Sequence, residues 1–188
     1  MPKKVTPTFR RAIQRPLNRA LQAMTQSFLK PEPLTHEAFS PFGDLISTKH
    51  CNDIRLINEG HTVRFNNLAN LALSATGLMP CLSIFRSEAW QLPHTVRALE
   101  RHPLTSQAFI PLGRSPYLIV VAPAGPLLEH RIQAFIGQPG QGINYHPGTW
   151  HHYNVALETA GDFLVVDADG DTPNCDEITL KQPIEIRP

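Results

Sequence analysis

Apolar and polar positions alternate in short runs through most of the chain from about residue 65 onward, and the runs are too brief for helices of ordinary length. The pattern predicts strands over residues 65–73, 82–85, 107–112, 117–122, 132–136, 150–156 and 163–166. Turn-forming clusters separate them, as in Leu112-Gly-Arg-Ser-Pro116, Pro123-Ala-Gly-Pro126 and Gly137-Gln-Pro-Gly-Gln-Gly142. Ahead of this region, Thr35-His-Glu-Ala-Phe39 predicts one short helix with Thr35 as N-cap and Glu37 in its first turn, ended by Pro41 and Gly43. Many short strands with turns every 8–12 residues or so predict a mainly-β sandwich or barrel.

Composition narrows the class without changing it. A chain of 188 residues with 41% hydrophobic and 18% charged residues is one ordinary globular domain. Eighteen prolines favour fixed turns over long helices. The three cysteines, Cys51, Cys81 and Cys175, are odd in number and widely spaced, which argues against a disulfide framework or a structural zinc knot. No run of 18 apolar residues is present, so no membrane span is expected.

Charge divides the chain in two. Residues 1–30 carry seven bases and no acid, leaving ten bases against sixteen acids in residues 31–188, a net charge of −6. The leader is expected to be a basic disordered tail or an upstream extension with Met24 as the natural start, and 31–188 a single domain. An acidic body without a DNA-reading motif argues against a nucleic-acid partner.

Chemistry concentrates in two places. In Gly140-Gln-Gly-Ile-Asn-Tyr-His-Pro-Gly-Thr-Trp-His-His152, three histidines flank a Pro-Gly turn where a strand should begin. If that strand is extended, His151 and Tyr153 share one face, with His152 and Asn154 on the other. Upstream, Glu100 and His102 are two apart and point to one face of an extended chain, and Gln107 rejoins them beyond the Pro103 bend. Two readings stay open: Glu100, His102 and His151 hold a divalent metal while Gln107 hydrogen-bonds substrate, or all four are polar lining without a metal. Asp167-Ala-Asp-Gly-Asp171 does not match a calcium loop and is expected to be a turn. His94, after Pro93, is expected in a loop, His152 in a packing or supporting role, and Trp150 in the core or rim.

The spacing Gly140, five residues, His146-Pro-Gly148, two residues, His151 resembles the second motif of the cupin superfamily. The first cupin motif is matched with departures, Glu100 standing for its leading His, Gln107 for its Glu, and Gly113 arriving one residue early. Four segments in order resemble the ureidoglycolate lyase family, formerly called ureidoglycolate hydrolase, over about residues 33–177. These are Glu37-Ala-Phe-Ser-Pro-Phe-Gly-Asp-Leu-Ile46; Glu100-Arg-His-Pro-Leu104 with Gln107-Ala-Phe-Ile-Pro111; Gly142-Ile-Asn-Tyr-His146 with Trp150-His-His152; and Asp162-Phe-Leu164 with Asn174-Cys-Asp176.

The resemblance implies a cupin-like β-barrel, or jelly roll, with a few short helices. It also implies a cytoplasmic homodimer in allantoin and purine nitrogen catabolism that cleaves (S)-ureidoglycolate to glyoxylate and urea. A divalent metal is implied, nickel foremost, with zinc or manganese as alternatives. Competing readings are a non-catalytic module that binds a small acid, or another metal-dependent cupin enzyme. For the lyase, Glu100, His102 and His151 are expected around the cation or the reacting hydroxyl, with His146 or Tyr145 serving the leaving nitrogen. Asn144 and Gln107 are expected at the substrate. Arg86 is the favoured partner for its carboxylate, ahead of Arg64 and Arg101.

Overall fold

The structure is a computed structural model in which residues 28–188 are described, so the expectations for the basic leader lie almost wholly outside the described residues. Among those residues the chain is built mainly of strands, in the order β1 (Phe28–Leu29), β2 (Glu32–Pro33), β3 (Gly43–Ile46), β4 (Ile54–Ile57), β5 (Thr62–Phe65), β6 (Leu78–Ser87), β7 (Ala89–Trp90) and β8 (His94–Arg101). There follow β9 (Gln107–Pro111), β10 (Tyr117–Ala122), β11 (Gln133–Gly137), β12 (Gly142–Tyr145), β13 (Trp150–His151), β14 (Val155–Leu157), β15 (Gly161–Gly170) and β16 (Asp176–Ile186). One α-helix, α1 (His36–Phe39), and three 3-10 turns complete the elements. Thr35 caps α1 as expected, its hydroxyl oxygen accepting from the Ala38 N–H at 3.2 Å. No helix among the described residues is long and apolar enough to cross a membrane.

The larger sheet runs β1-β16-β8-β13-β10-β11-β2, with β14 beside β10 and β7, and the smaller runs β3-β12-β9-β15-β6. They pack face to face as a jelly-roll-like sandwich. One core lies between them, with Tyr117, Ile119, Val121 and Phe135 from the first sheet against Phe109, Ile143, Tyr145, Phe163 and Val165 from the second. Edge-on aromatic contacts tie the layers, such as Tyr117 to Phe163 at 5.3 Å between ring centroids. Phe39 and Phe42 close one edge of this core. A second apolar cluster of Leu99, Leu118, Val120, Trp150, Leu180 and Ile186 covers the outer face of the larger sheet. That second cover explains why β10 is buried at all six positions and reads as a continuous apolar run, not an alternation.

Register sets what faces the interior, because side chains alternate along each strand. In the smaller sheet Ile143 pairs with Phe109, and Phe109 with Val165, all three in the inner core. Tyr145 opposite Gln107 therefore also faces inward, as does Asp167 two residues beyond Val165. Asn144, opposite Asp44 and Ala108, faces outward.

Three expectations are corrected. The strand predicted over 65–73 ends at Phe65. Beyond it backbone N–H groups go to side chains, Asn70 to Asp44 Oδ2 and Ala72 to Ser106 Oγ, which compete with a strand ladder. The turn expected at Asp167–Asp171 is instead the end of a ten-residue strand reaching Gly170, paired along its whole length with β6. Residues 150–156 are two short strands separated by residues 152–154, so the alternation does not carry past His151.

Candidate active site

At one end of the sandwich interior, His151 on β13 lies directly opposite Glu100 on β8 and Val121 on β10. His102 follows β8 by one residue, and its ring lies 5.3 Å from that of His151. One donor atom each from Glu100, His102 and His151 falls within 4.8 Å of the others. The loop from His146 to Thr149 supports this arrangement: Gly148, at φ 79°, turns the chain, and its N–H donates to the His102 carbonyl at 2.8 Å.

The main chain sets the tautomer of both imidazoles. His102 Nδ1 is 2.7 Å from the Asn174 carbonyl and His151 Nδ1 is 3.0 Å from the Thr149 carbonyl. A carbonyl only accepts, so each Nδ1 carries the proton and each Nε2 keeps a lone pair. Both Nε2 atoms are buried without a hydrogen-bond partner among the described residues. His151 Nε2 also stands 3.5 Å from Glu100 Oε1, longer than a good hydrogen bond. A lone pair facing a carboxylate is repulsive unless positive charge lies between them, whether a proton or a metal ion. The nearby His151, followed by His102 and His152, holds the Glu100 carboxyl below its usual range, against an opposing push from burial.

Two imidazoles and a carboxylate, with both rings oriented by backbone carbonyls, are a donor set that fits a divalent transition metal. Glu100, His102 and His151 would hold it, as the sequence suggested. Tyr145 stacks on the His151 ring at 4.3 Å and 15°, and burial pushes its phenol far up, so it stays protonated. Gln107, beside Tyr145 in the ladder, is buried and donates from Nε2 to Asp167 Oδ2 at 3.1 Å.

Other residues singled out from the sequence are placed elsewhere. His146 and Asn144 belong to a separate group on the outer side of β12. His146 Nε2 is 3.2 Å from Asp44 Oδ1, and Asn144 Nδ2 donates to Asp44 Oδ2 at 2.9 Å. Asp44 in turn lines an open polar cavity of about 450 Å³ with His36, His50 and Asn70. Arg86 makes a two-pronged ion pair with Asp162 at 2.7 and 2.9 Å. Asp162 lies five ladder positions from Asp167, roughly 17 Å, and on the opposite face. Arg101 stacks over Trp150 and pairs with Asp176, also away from the interior. Arg64 sits on the detached β4–β5 hairpin. The structure thus gathers Glu100, His102, His151, Tyr145 and Gln107, and leaves out His146, Asn144 and Arg86. Asp167, which accepts from Gln107, is the neighbour of this group that the sequence did not single out for a site; its period-2 parity with Phe163 and Val165 is the signal that places it on the inner face.

His94 and His152 form a buried pair behind the triad. His94 is on β8, not in a loop, with its Nε2 3.0 Å from His152 Nε2. His152 Nδ1 donates to the Ala98 carbonyl, so His94 Nε2 carries the shared proton and donates it. Burial lowers the pKa of both rings, that of His152 to about 4. The folded protein therefore keeps His152 neutral while the unfolded chain takes a proton near pH 6.5. Its contribution to stability is complete above pH 6.5 and is lost as pH falls toward 4, by up to about 3 kcal/mol. Urea denaturation at pH 7.5, 6 and 4.5 is expected to show this decline, and a His152→Asn variant a shallower one.

The fold and the site define a class: a β-sandwich enzyme with an interior centre of two imidazoles and a carboxylate. A family model described as ureidoglycolate lyase matches residues 26–187. Ureidoglycolate lyase of Pseudomonas syringae pv. syringae is 50% identical over 147 residues, 78% of this chain and 86% of that protein. Those of Pseudomonas putida and Burkholderia mallei are 49% and 47% identical, covering 84% and 83% of this chain and 95% and 91% of theirs. A structure of Bacillus subtilis oxalate decarboxylase, studied for its Mn(II) centres, aligns with 59% of this chain and 30% of its own at 13% identity and TM-score 0.36, too slight a likeness to argue from. The chain belongs to the ureidoglycolate lyase family.

Proposed function

We propose that this site splits (S)-ureidoglycolate into glyoxylate and urea, in the service of allantoin catabolism. The observation that carries the reading is the convergence of one donor atom each from Glu100, His102 and His151, both rings keeping a buried Nε2 unpartnered among the described residues, in a chain whose relatives are ureidoglycolate lyases. The substrate carbon bears a hydroxyl, a carboxylate and a ureido nitrogen. Cleavage needs no redox step: the hydroxyl loses its proton, the C–N bond breaks as the aldehyde forms, and the departing nitrogen gains a proton.

When bound, a divalent cation would draw the substrate carboxylate and hydroxyl together and make the hydroxyl more acidic. The chain's own charges support that cation. The favoured carboxylate partner Arg86 is paired with Asp162, so among the described residues an anionic substrate would otherwise meet Glu100 and Asp167 without the guanidinium the sequence favoured. In this reading the Glu100 oxygen left free by the cation takes the hydroxyl proton and returns it to the leaving nitrogen, which balances the reaction with one residue. Tyr145, kept neutral by burial, holds the His151 ring in place and offers a hydrogen bond, and Gln107 faces the ureido group. His146, Asn144 and Asp44 brace β12 from behind. The family likeness extends the reading to a cytoplasmic homodimer, with nickel foremost among the cations.

Incubating the purified protein with (S)-ureidoglycolate is expected to release urea and glyoxylate in equal amounts. Ammonia without urea would make it an amidohydrolase instead, and tight binding without turnover would make it a binding module.

A further inference from the structure

Gln107 presents a carboxamide whose orientation can be deduced from its partner. Asp167 Oδ2 lies 3.1 Å from Gln107 Nε2, and an ionised carboxylate accepts hydrogen bonds but donates none. The amide must therefore turn its NH2 toward Asp167 and its oxygen away. That oxygen, Oε1, is buried and has no partner among the described residues, on a residue only 6% exposed. Gln107 pairs across the ladder with Tyr145, whose ring is stacked on His151, so its side chain belongs to the interior end that holds the triad. A buried acceptor without a donor carries a desolvation cost that a ligand N–H would relieve.

The geometry points to Asp167 as a positioning residue for substrate choice: by locking the Gln107 amide, it aims one carbonyl oxygen at an N–H donor of the substrate. The inference rests on the reading of ureidoglycolate as substrate, and it names the part recognised, the ureido N–H. The triad handles the carboxylate and the oxygen on the reacting carbon, a hydroxyl in the substrate and the aldehyde oxygen in glyoxylate; the Asp167–Gln107 pair reads the ureido end that glyoxylate lacks. Selection on the nitrogen side then comes from one acceptor held in one orientation.

Asp167→Asn is the sharpest probe. An asparagine amide can donate to Gln107 Oε1 as well as accept from Nε2, so both orientations of the glutamine become satisfied and the lock is lost. The KM for ureidoglycolate is expected to rise about three- to tenfold, the scale of one hydrogen bond. The inhibition constant of glyoxylate, which carries no N–H, should stay within twofold of wild type. Gln107→Met removes the acceptor while keeping the length of the side chain. In that background Asp167→Asn should have no further effect on KM, since Asp167 acts through Gln107. Equal effects in both backgrounds, a parallel weakening of glyoxylate, or an unchanged KM in the single variant would each overturn the assignment. Wild-type turnover is read in the same assay, so failure of the substrate reading shows separately as a wild-type protein that releases no urea.

Discussion

Replacing His151 with alanine is expected to lower kcat/KM for ureidoglycolate by roughly 10³-fold, the scale of losing several kcal/mol of transition-state stabilisation. The ring is 1% exposed and contributes three things at once: a lone pair at Nε2, the neighbour that holds Glu100 ionised, and the surface on which Tyr145 stacks. Removing it leaves His102 and Glu100 as two donors instead of three and a void beside a buried phenol. Some loss of stability should accompany the loss of activity, and thermal unfolding separates the two. A folded variant with depleted metal and little activity supports the assignment. A folded variant with more than a tenth of wild-type kcat/KM would remove His151 from the centre of the site.

The second large effect is that of metal removal. Chelation followed by desalting is expected to cut turnover by about 10²-fold or more, and restoring Ni²⁺, Mn²⁺ or Zn²⁺ singly should show which cation the site prefers. The expectation follows from charge as much as from ligand identity. In the proposed reading an anionic substrate meets the carboxylates of Glu100 and Asp167, and the structure pairs Arg86 with Asp162 and Arg101 with Asp176 instead. A protein shown by elemental analysis to be metal-free yet fully active would mean that a proton on His151 fills the place between its Nε2 and Glu100.

The mainly-β character and the triad were readable because they depend on short-range patterns. Gly140 through His151 keeps its spacing in sequence and in space, and Glu100 and His102 are two apart on an extended chain. What escaped depends on partners far along the chain. Asp44 meets Asn144 across 100 positions, and Asp167 meets Gln107 across 60, distances over which no periodicity reports contact. That Tyr145 faces the interior and His146 turns to Asp44 was hidden for a subtler reason: residues 137–142 carry turn-forming residues, and without the strand β12 nothing in the sequence places consecutive residues on opposite faces. Arg86 belongs to a segment that matches the family pattern, yet matching residues can serve the scaffold: its guanidinium is spent on Asp162 at the other end of the ladder.

The protons on His102 and His151 are placed by main-chain carbonyls, those of Asn174 and Thr149, whose positions depend on the path of the backbone and not on which side chains those residues carry. The two nitrogen donors are thereby insulated from mutational drift nearby, and substitution at either position leaves the same carbonyl in the same place. Gln107 has no such protection, since its orientation hangs on a single carboxylate. Divergence of this scaffold toward other small hydroxy acids would therefore conserve the imidazoles and enter through the pair of Asp167 and Gln107, where one amide turned over exchanges an acceptor for a donor.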